Sequence, residues 1–214
     1  LGEFNIFEHK KKTSHRADFL PEALGELHSY PVWYLARDPR GRLWIGTGGA
    51  GLVIFDPASG RHMRIDNTAA NENLLSDRRV RCVEFLGEEW AWIGTWGGAD
   101  RIDLRSLDLA DRSTLRISTF TPQSGDPTSL SDHLVFDIHH DEAGRLWFAT
   151  EDGLNLFDSK SAEFSRVPLQ REDGINKTSR DVRSIFEDAG GELWFGTHGA
   201  GLYRYDARTR NLQT

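Results

Sequence analysis

Few residues in this 214-residue chain have the type and spacing that covalent chemistry needs. No Gly-x-Ser-x-Gly elbow occurs, and the only cysteine, Cys82, has no base beside it. Cys82 lies in the alternation Val80-Arg81-Cys82-Val83, where a small buried hydrophobe is expected. A single cysteine excludes an internal disulfide and a cysteine-based zinc site. His139-His140-Asp141 suggests a metal at first sight. In a strand, however, adjacent side chains point to opposite faces, so the two histidines cannot converge on one ion. One faces a neighbouring sheet and the other faces solvent or the next strand. The pairs Gly48-Gly49 and Gly97-Gly98 fall between strands and open no helix, so they imply no phosphate cradle. No catalytic residue, bound metal or cofactor is expected.

Binding chemistry is better represented. Trp96 offers an aromatic plane, and Arg78, Glu151, Asp152 and His198 offer charged and hydrogen-bonding groups. Together such groups can stack on a sugar ring and bond its hydroxyls. The alternative is that Trp96 only covers a junction between packed sheets. Tyr30, His133 and Arg180 complete the candidate set. All eight are candidates through their position, which depends on the elements that carry them.

Hydrophobic residues are 38% of the chain and aromatics 11%, enough for a core and against disorder. Glycine (21) far outnumbers proline (7), which suits many short strands joined by tight turns. The net charge of −7 disfavours a general nucleic-acid binder. Lys10-Lys11-Lys12 is too short to change that and reads as a solvated hairpin tip. No stretch approaches 18 uninterrupted apolar residues, and the N-terminus has no charged-then-apolar leader pattern. A soluble piece, cut from a longer chain, is the expectation.

The positioning elements come from a repeat. Leu43-Trp44-Ile45-Gly46-Thr47, Ala91-Trp92-Ile93-Gly94-Thr95, Leu146-Trp147-Phe148-Ala149-Thr150 and Leu193-Trp194-Phe195-Gly196-Thr197 share one pattern, with tryptophans 48, 55 and 47 residues apart. Periods of about 40–50 residues belong to β-propeller blades of four strands. Twelve residues before each tryptophan an aliphatic residue opens an alternating run: Val32, Val80, Val135 and Val182. Asp-x-x-Gly turns follow at Asp38/Gly41, Asp141/Gly144 and Asp188/Gly191, while the second repeat has Gly87-Glu88-Glu89. A third strand follows at Gly51–Asp56, Gly98–Asp103, Gly153–Asp158 and Gly201–Asp206, then a short fourth.

The expected fold is therefore all-β: four complete four-stranded blades plus the outer half of another, in a larger ring of about seven blades or one closed by a second copy. Blades are expected at about residues 24–68, 69–121, 122–170 and 171–214, with a partial blade over 1–23. In that partial blade Glu3–Glu8 is a third strand and Ala17–Leu20 a possible fourth. The four tryptophans are assigned to packing between blades. Function is then expected where the repeat is broken, in the second-to-third-strand links and the entries to the first strands, which share one face around the channel mouth.

The quoted residues resemble the two-component regulator propeller repeat, which runs Ser-Leu-Ser-x-x-x-Val, Asp-x-x-Gly-x-Leu-Trp-Ile-Gly-Thr, Gly-Gly-Leu-x-x-Phe-Asp. The third repeat matches it closely, from Asp126 through Ser129-Leu130-Ser131 to Phe157-Asp158, and the likeness covers about residues 24–214. The fourth departs in its lead-in, Asn176–Arg180. The resemblance implies an extracytoplasmic, periplasmic sensor of a membrane-anchored bacterial histidine kinase, hybrid kinase or diguanylate cyclase. Its expected partner is a small-molecule or oligosaccharide ligand, or a periplasmic protein, with a homodimer through exposed blade edges as a further option. A propeller lyase of the virginiamycin type is the enzymatic alternative and would need His198, Glu151 and Asp152 to converge on a metal. A cytosolic interaction scaffold is the third reading.

Overall fold

Each valine that opens a repeat also opens a strand. In the computed structural model, which describes residues 5–8, 13–16, 27, 29–68, 74–168, 181–206 and 211–213, a two-stranded hairpin precedes four four-stranded antiparallel sheets. The hairpin pairs β1 (Asn5–Glu8) with β2 (Thr13–Arg16). Blade I is β3 (Val32–Arg37), β4 (Leu43–Thr47), β5 (Leu52–Phe55) and β6 (His62–Ile65). Blade II is β7 (Val80–Leu86), β8 (Trp90–Thr95), β9 (Ala99–Asp103) and β10 (Ile117–Phe120). Blade III is β11 (Val135–His140), β12 (Leu146–Thr150), β13 (Gly153–Asp158) and β14 (Glu163–Val167). Blade IV is β15 (Val182–Glu187), β16 (Leu193–Thr197), β17 (Gly201–Asp206) and β18 (Asn211–Gln213). Strand order within each sheet follows the chain.

The N-terminal hairpin corrects one expectation. The partner of β1 is Thr13–Arg16, not Ala17–Leu20, because a link of only residues 9–12 is enough to reverse the chain. That link, with Lys10-Lys11-Lys12, and Ala17–Leu20 lie outside the described residues.

Packing runs from each blade to the next through the tryptophans. Trp44 meets Phe85 of blade II edge-on at 5.3 Å, Trp92 meets Phe148 of blade III at 5.1 Å, and Trp147 meets Phe195 of blade IV at 5.6 Å. All three are buried in clusters that mix residues of both blades. The glycine two residues on has the same cause. A Cβ at Gly46 would lie 2.9 Å from Val80 Cγ1 and one at Gly94 would lie 2.9 Å from Val135 Cγ1, in each case the opening valine of the next blade, so little room is left where the next inner strand crosses the sheet. On blade IV the same face is open. Leu202 is 53% exposed where its counterparts Leu52, Ala99 and Leu154 are 0–1% exposed, and Phe186 is 62% exposed.

The repeated polar residues lock each blade internally. Asp38 Oδ1 accepts from the Arg40 and Arg42 backbone N–H groups, and its Oδ2 accepts from Trp44 Nε1 at 3.0 Å. Asp141 takes Trp147 Nε1 at 2.8 Å, and Asp188 takes Trp194 Nε1 at 3.0 Å. One carboxylate thus closes the hairpin and orients the packing indole, which is why Asp and Trp recur six residues apart. Blade II lacks the aspartate. Its turn is shortened to three residues, and Arg101 lies over both Trp90 (4.3 Å) and Trp92 (5.5 Å) instead. Blade II also has the longest link from third to fourth strand, with a 3-10 turn at Arg112–Thr114. Arg112 there donates to the Arg64 carbonyl of blade I at 2.7 Å.

Candidate functional site

The second-to-third-strand links are shaped by the threonine that ends each tryptophan strand. Thr47, Thr95, Thr150 and Thr197 each donate Oγ1–H to the carbonyl of the glycine that follows the link, at 2.8–3.0 Å. In blades II and III the lead-in serine joins the same lock. Ser76 Oγ is 2.7 Å from Thr95 Oγ1 and Ser131 Oγ is 2.7 Å from Thr150 Oγ1. The third-strand residue completes it: Asp100 Oδ2 accepts from the Ser76 N–H, and Asn155 Oδ1 accepts from the Ser131 N–H. Asp100 is fully buried, and burial lifts its carboxyl from 3.8 to about 6 despite bonds from Ser76 and Thr119.

Each link then bonds to the entry of its own blade. Gly48 N–H donates to Pro31 O, Trp96 N–H to Arg79 O, Glu151 N–H to Leu134 O, and His198 N–H to Asp181 O, at 2.8–3.3 Å. Links and entries therefore share one end of every blade, as expected. Just inside that end every inner strand is irregular, with a register shift between Val32 and Tyr34, Val80 and Cys82, Val135 and Asp137, and Val182 and Ser184. The displaced residue is Trp33, Arg81, Phe136 or Arg183. A bulge re-aims a side chain out of the sheet's alternation. Here all four turn toward one another across the blades.

They form a ladder of alternating rings and guanidiniums. Arg81 lies 5.1 Å from the Trp33 ring and 5.8 Å from the Phe136 ring, and Arg183 lies 3.9 Å from the Phe136 ring. Trp96 extends the ladder. Its ring stacks on Trp33 at 5.8 Å with 27° between planes, and Arg79 lies 4.4 Å above it. Arg79 is held in place by a bidentate pair with Asp77 (2.8 and 2.6 Å), whose hydrogen bonds lower the Asp77 pKa and raise that of Arg79.

The sequence candidates divide around this ladder. Trp96 bridges blades I and II, and its ring contacts are Trp33 and Arg79. Tyr30 and Arg78 line a groove of about 690 Å³ at the same junction, with Gly48, Gly49, Asp77 and Arg79. His133 reaches this region through Nδ1, 3.3 Å from the Gly97 carbonyl. Glu151 and Asp152 occupy the corresponding link of blade III, and His198 that of blade IV, where its Nδ1 is 3.3 Å from Asp181 Oδ2. Arg180 lies outside the described residues. Among the described residues no group of three His, Cys, Asp or Glu side chains could hold a metal ion. His139 turns to blade IV, with Nε2 3.1 Å from Glu187 Oε2, and the backbone N–H of His140 donates to Glu84 of blade II.

Sequence reasoning missed Trp33 and Arg81. Their signal was present: the residue after each opening valine is Trp33, Arg81, Phe136 and Arg183, one repeat position filled alternately by a ring and a cation.

Residues 26–49, 129–152 and 176–199 match the two component regulator propeller family, and the second repeat, the one without the turn aspartate, lies outside these matches. Histidine kinase P4 of Formosa agariphila is 27% identical over 216 residues, covering 99% of this chain and 15% of the kinase. Among solved structures, the BT3049 extracellular domain of B. thetaiotaomicron, assigned to a hybrid two component system, has a TM-score of 0.57 at 22% identity, over 85% of this chain and 29% of that one. An auxiliary nutrient binding protein from Bacteroides thetaiotaomicron has a TM-score of 0.56 at 14% identity, over 86% of this chain and 40% of that one. This chain thus spans well under two thirds of each of these proteins, and the two structures share its fold. With a locking aspartate, a threonine and a packing tryptophan in each, three of the four repeats match the two component regulator propeller family.

Proposed function

We propose that this chain is the ligand-sensing propeller of a bacterial two-component signalling protein, presented outside the cytoplasm. It binds a small ligand such as a carbohydrate, or a periplasmic protein partner, and does not transform it. The observation that carries the reading is the likeness to a histidine kinase over 99% of this chain, joined to the repeat matches. The fold shared with an extracellular two-component domain and with a nutrient binding protein supports it. Among the described residues no helix is long and apolar enough to cross a membrane. The chemistry gathered at the blade I–II junction also supports binding: aromatic planes, guanidiniums and a groove hold and orient a ligand.

The test uses the full-length gene product in membrane vesicles. A panel of oligosaccharides is screened for a change in ATP-dependent autophosphorylation, and hits are titrated calorimetrically against the propeller. Trp96→Ala is expected to weaken binding at least about tenfold, the loss of one stacked aromatic contact. Unchanged affinity in a variant with an unchanged melting curve removes Trp96 from the site.

A further inference from the structure

Among the described residues, no hydrogen bond or ion pair reaches the Arg81 guanidinium, and its Nε is fully buried without a partner. The neighbouring cations differ. Arg79 is paired bidentately with Asp77 and Arg183 with Asp181 at 2.5 Å. The two rings beside Arg81 supply no hydrogen-bond acceptor, so a fork of donors stands at the inner rim with its charge unanswered. An unpaired, half-buried cation is costly unless something answers it, and a protein of net charge −7 has no shortage of carboxylates that could have been placed there.

We infer that Arg81 is the anion-binding residue of the inner rim, receiving a singly charged carboxylate on the ligand, either an acidic sugar or a small organic acid. This rests on the sensor reading and specifies its ligand. A carboxylate fits because its two oxygens match one guanidinium fork, while the guanidiniums of Arg79 and Arg183 are already engaged by Asp77 and Asp181. The ladder also places Trp33 and Trp96 beside the anion, so binding should change tryptophan emission.

The experiment titrates the wild-type protein, calorimetrically and by tryptophan fluorescence, with an oligogalacturonate, the neutral oligogalactose of equal length, lactate, benzoate and inorganic phosphate. The oligogalacturonate or a free acid is expected to bind, more weakly as salt rises, and which of them binds identifies the source of the carboxylate. Arg81→Gln is expected to lose at least about tenfold in affinity, as removal of a charge-assisted hydrogen bond does. Arg81→Lys should recover only part of it, and Arg166→Gln, an equal charge change on the exposed β14, should have no effect. If Arg81→Gln is misfolded by its melting curve, the wild-type comparison of acidic with neutral sugar decides. Equal affinity for both sugars, tighter binding of phosphate, or an unaffected Arg81→Gln overturns the inference and leaves the sensor reading standing. Failure of every ligand to bind overturns the inference alone, because the sensor reading is decided by the autophosphorylation screen.

Discussion

Asp100 and Asn155 occupy the same place in blades II and III, and this permits a sharp test of how the blades are stabilised. Both are fully buried on the third strand, and both accept from the backbone N–H of the lead-in serine. Burial raises the Asp100 carboxyl from 3.8 to about 6, against the pull of Ser76 and Thr119. The folded pKa thus exceeds the unfolded one. Below about 3.8 both states are protonated and Asp100 carries no penalty. As pH rises toward 6 the unfolded chain ionises first and stability is lost, and above 6 the loss is constant. At about 1.36 kcal/mol per pH unit the full loss is roughly 3 kcal/mol. Asp100→Asn abolishes the titration and can adopt the bonding of Asn155, whose Nδ2 donates to Ser131 Oγ at 2.8 Å. The variant is expected to match wild type, or fall about 1 kcal/mol below it for the altered Thr119 bond, at pH 4. At pH 7.5 it should exceed wild type by about 2 kcal/mol. Urea unfolding followed by tryptophan fluorescence at four pH values measures the difference, in which distant titrating groups cancel. A stability difference that does not change between pH 4 and 7.5 refutes the reasoning.

Three further outcomes follow from the blade locks and contacts. Asp141→Asn should have the opposite sign. Burial alone would raise this carboxyl, but bonds from Trp147 and Arg145 hold it below the usual range. Its contribution is therefore present above the unfolded value of 3.8 and is lost as pH falls from there through the depressed folded value, so the variant should lose about 1–3 kcal/mol at pH 7, nearly as much at pH 4 and clearly less at pH 2, by the same urea assay. Trp147→Ala removes a buried indole between blades III and IV and should cost roughly 3–5 kcal/mol, read as a large drop in urea midpoint; a near-neutral result would contradict its core role. Gly94→Ala should destabilise clearly because its Cβ collides with Cys82 Sγ, and Cys82→Ala in the same chain should restore part of the loss.

Most of the framework was legible because the repeat records it four times. The valines mark strand starts, the tryptophan and glycine mark where the next blade crosses, and the aspartate marks the turn. What the sequence did not disclose is that this aspartate also holds the indole, since a bond spanning six residues across a hairpin leaves no periodic trace of its own. The candidate site was less legible. Trp96 stood out as an aromatic outside the pattern, yet its stacking partner Trp33 lies within the first strand of blade I rather than on a link or an entry. Arg81 was hidden for a different reason. In a regular strand it would alternate into a sheet face, and only the bulge, invisible in composition, turns it to the rim.

Blade II concentrates these departures, and they are physically connected. It lacks the turn aspartate, it lies outside the segments that match the family, and it supplies Arg79, Arg81 and Trp96. A blade that gives up its carboxylate lock must be held by other means. The cation–ring contacts of Arg101 over Trp90 and Trp92, and the Arg112 bond to blade I, replace it with tethers outside the hairpin turn. Those tethers leave the entry and link of blade II free to serve something other than the repeat. A repeat can diverge where its stability has been moved elsewhere, and in this chain the blade that diverges most is the one whose side chains meet at the rim.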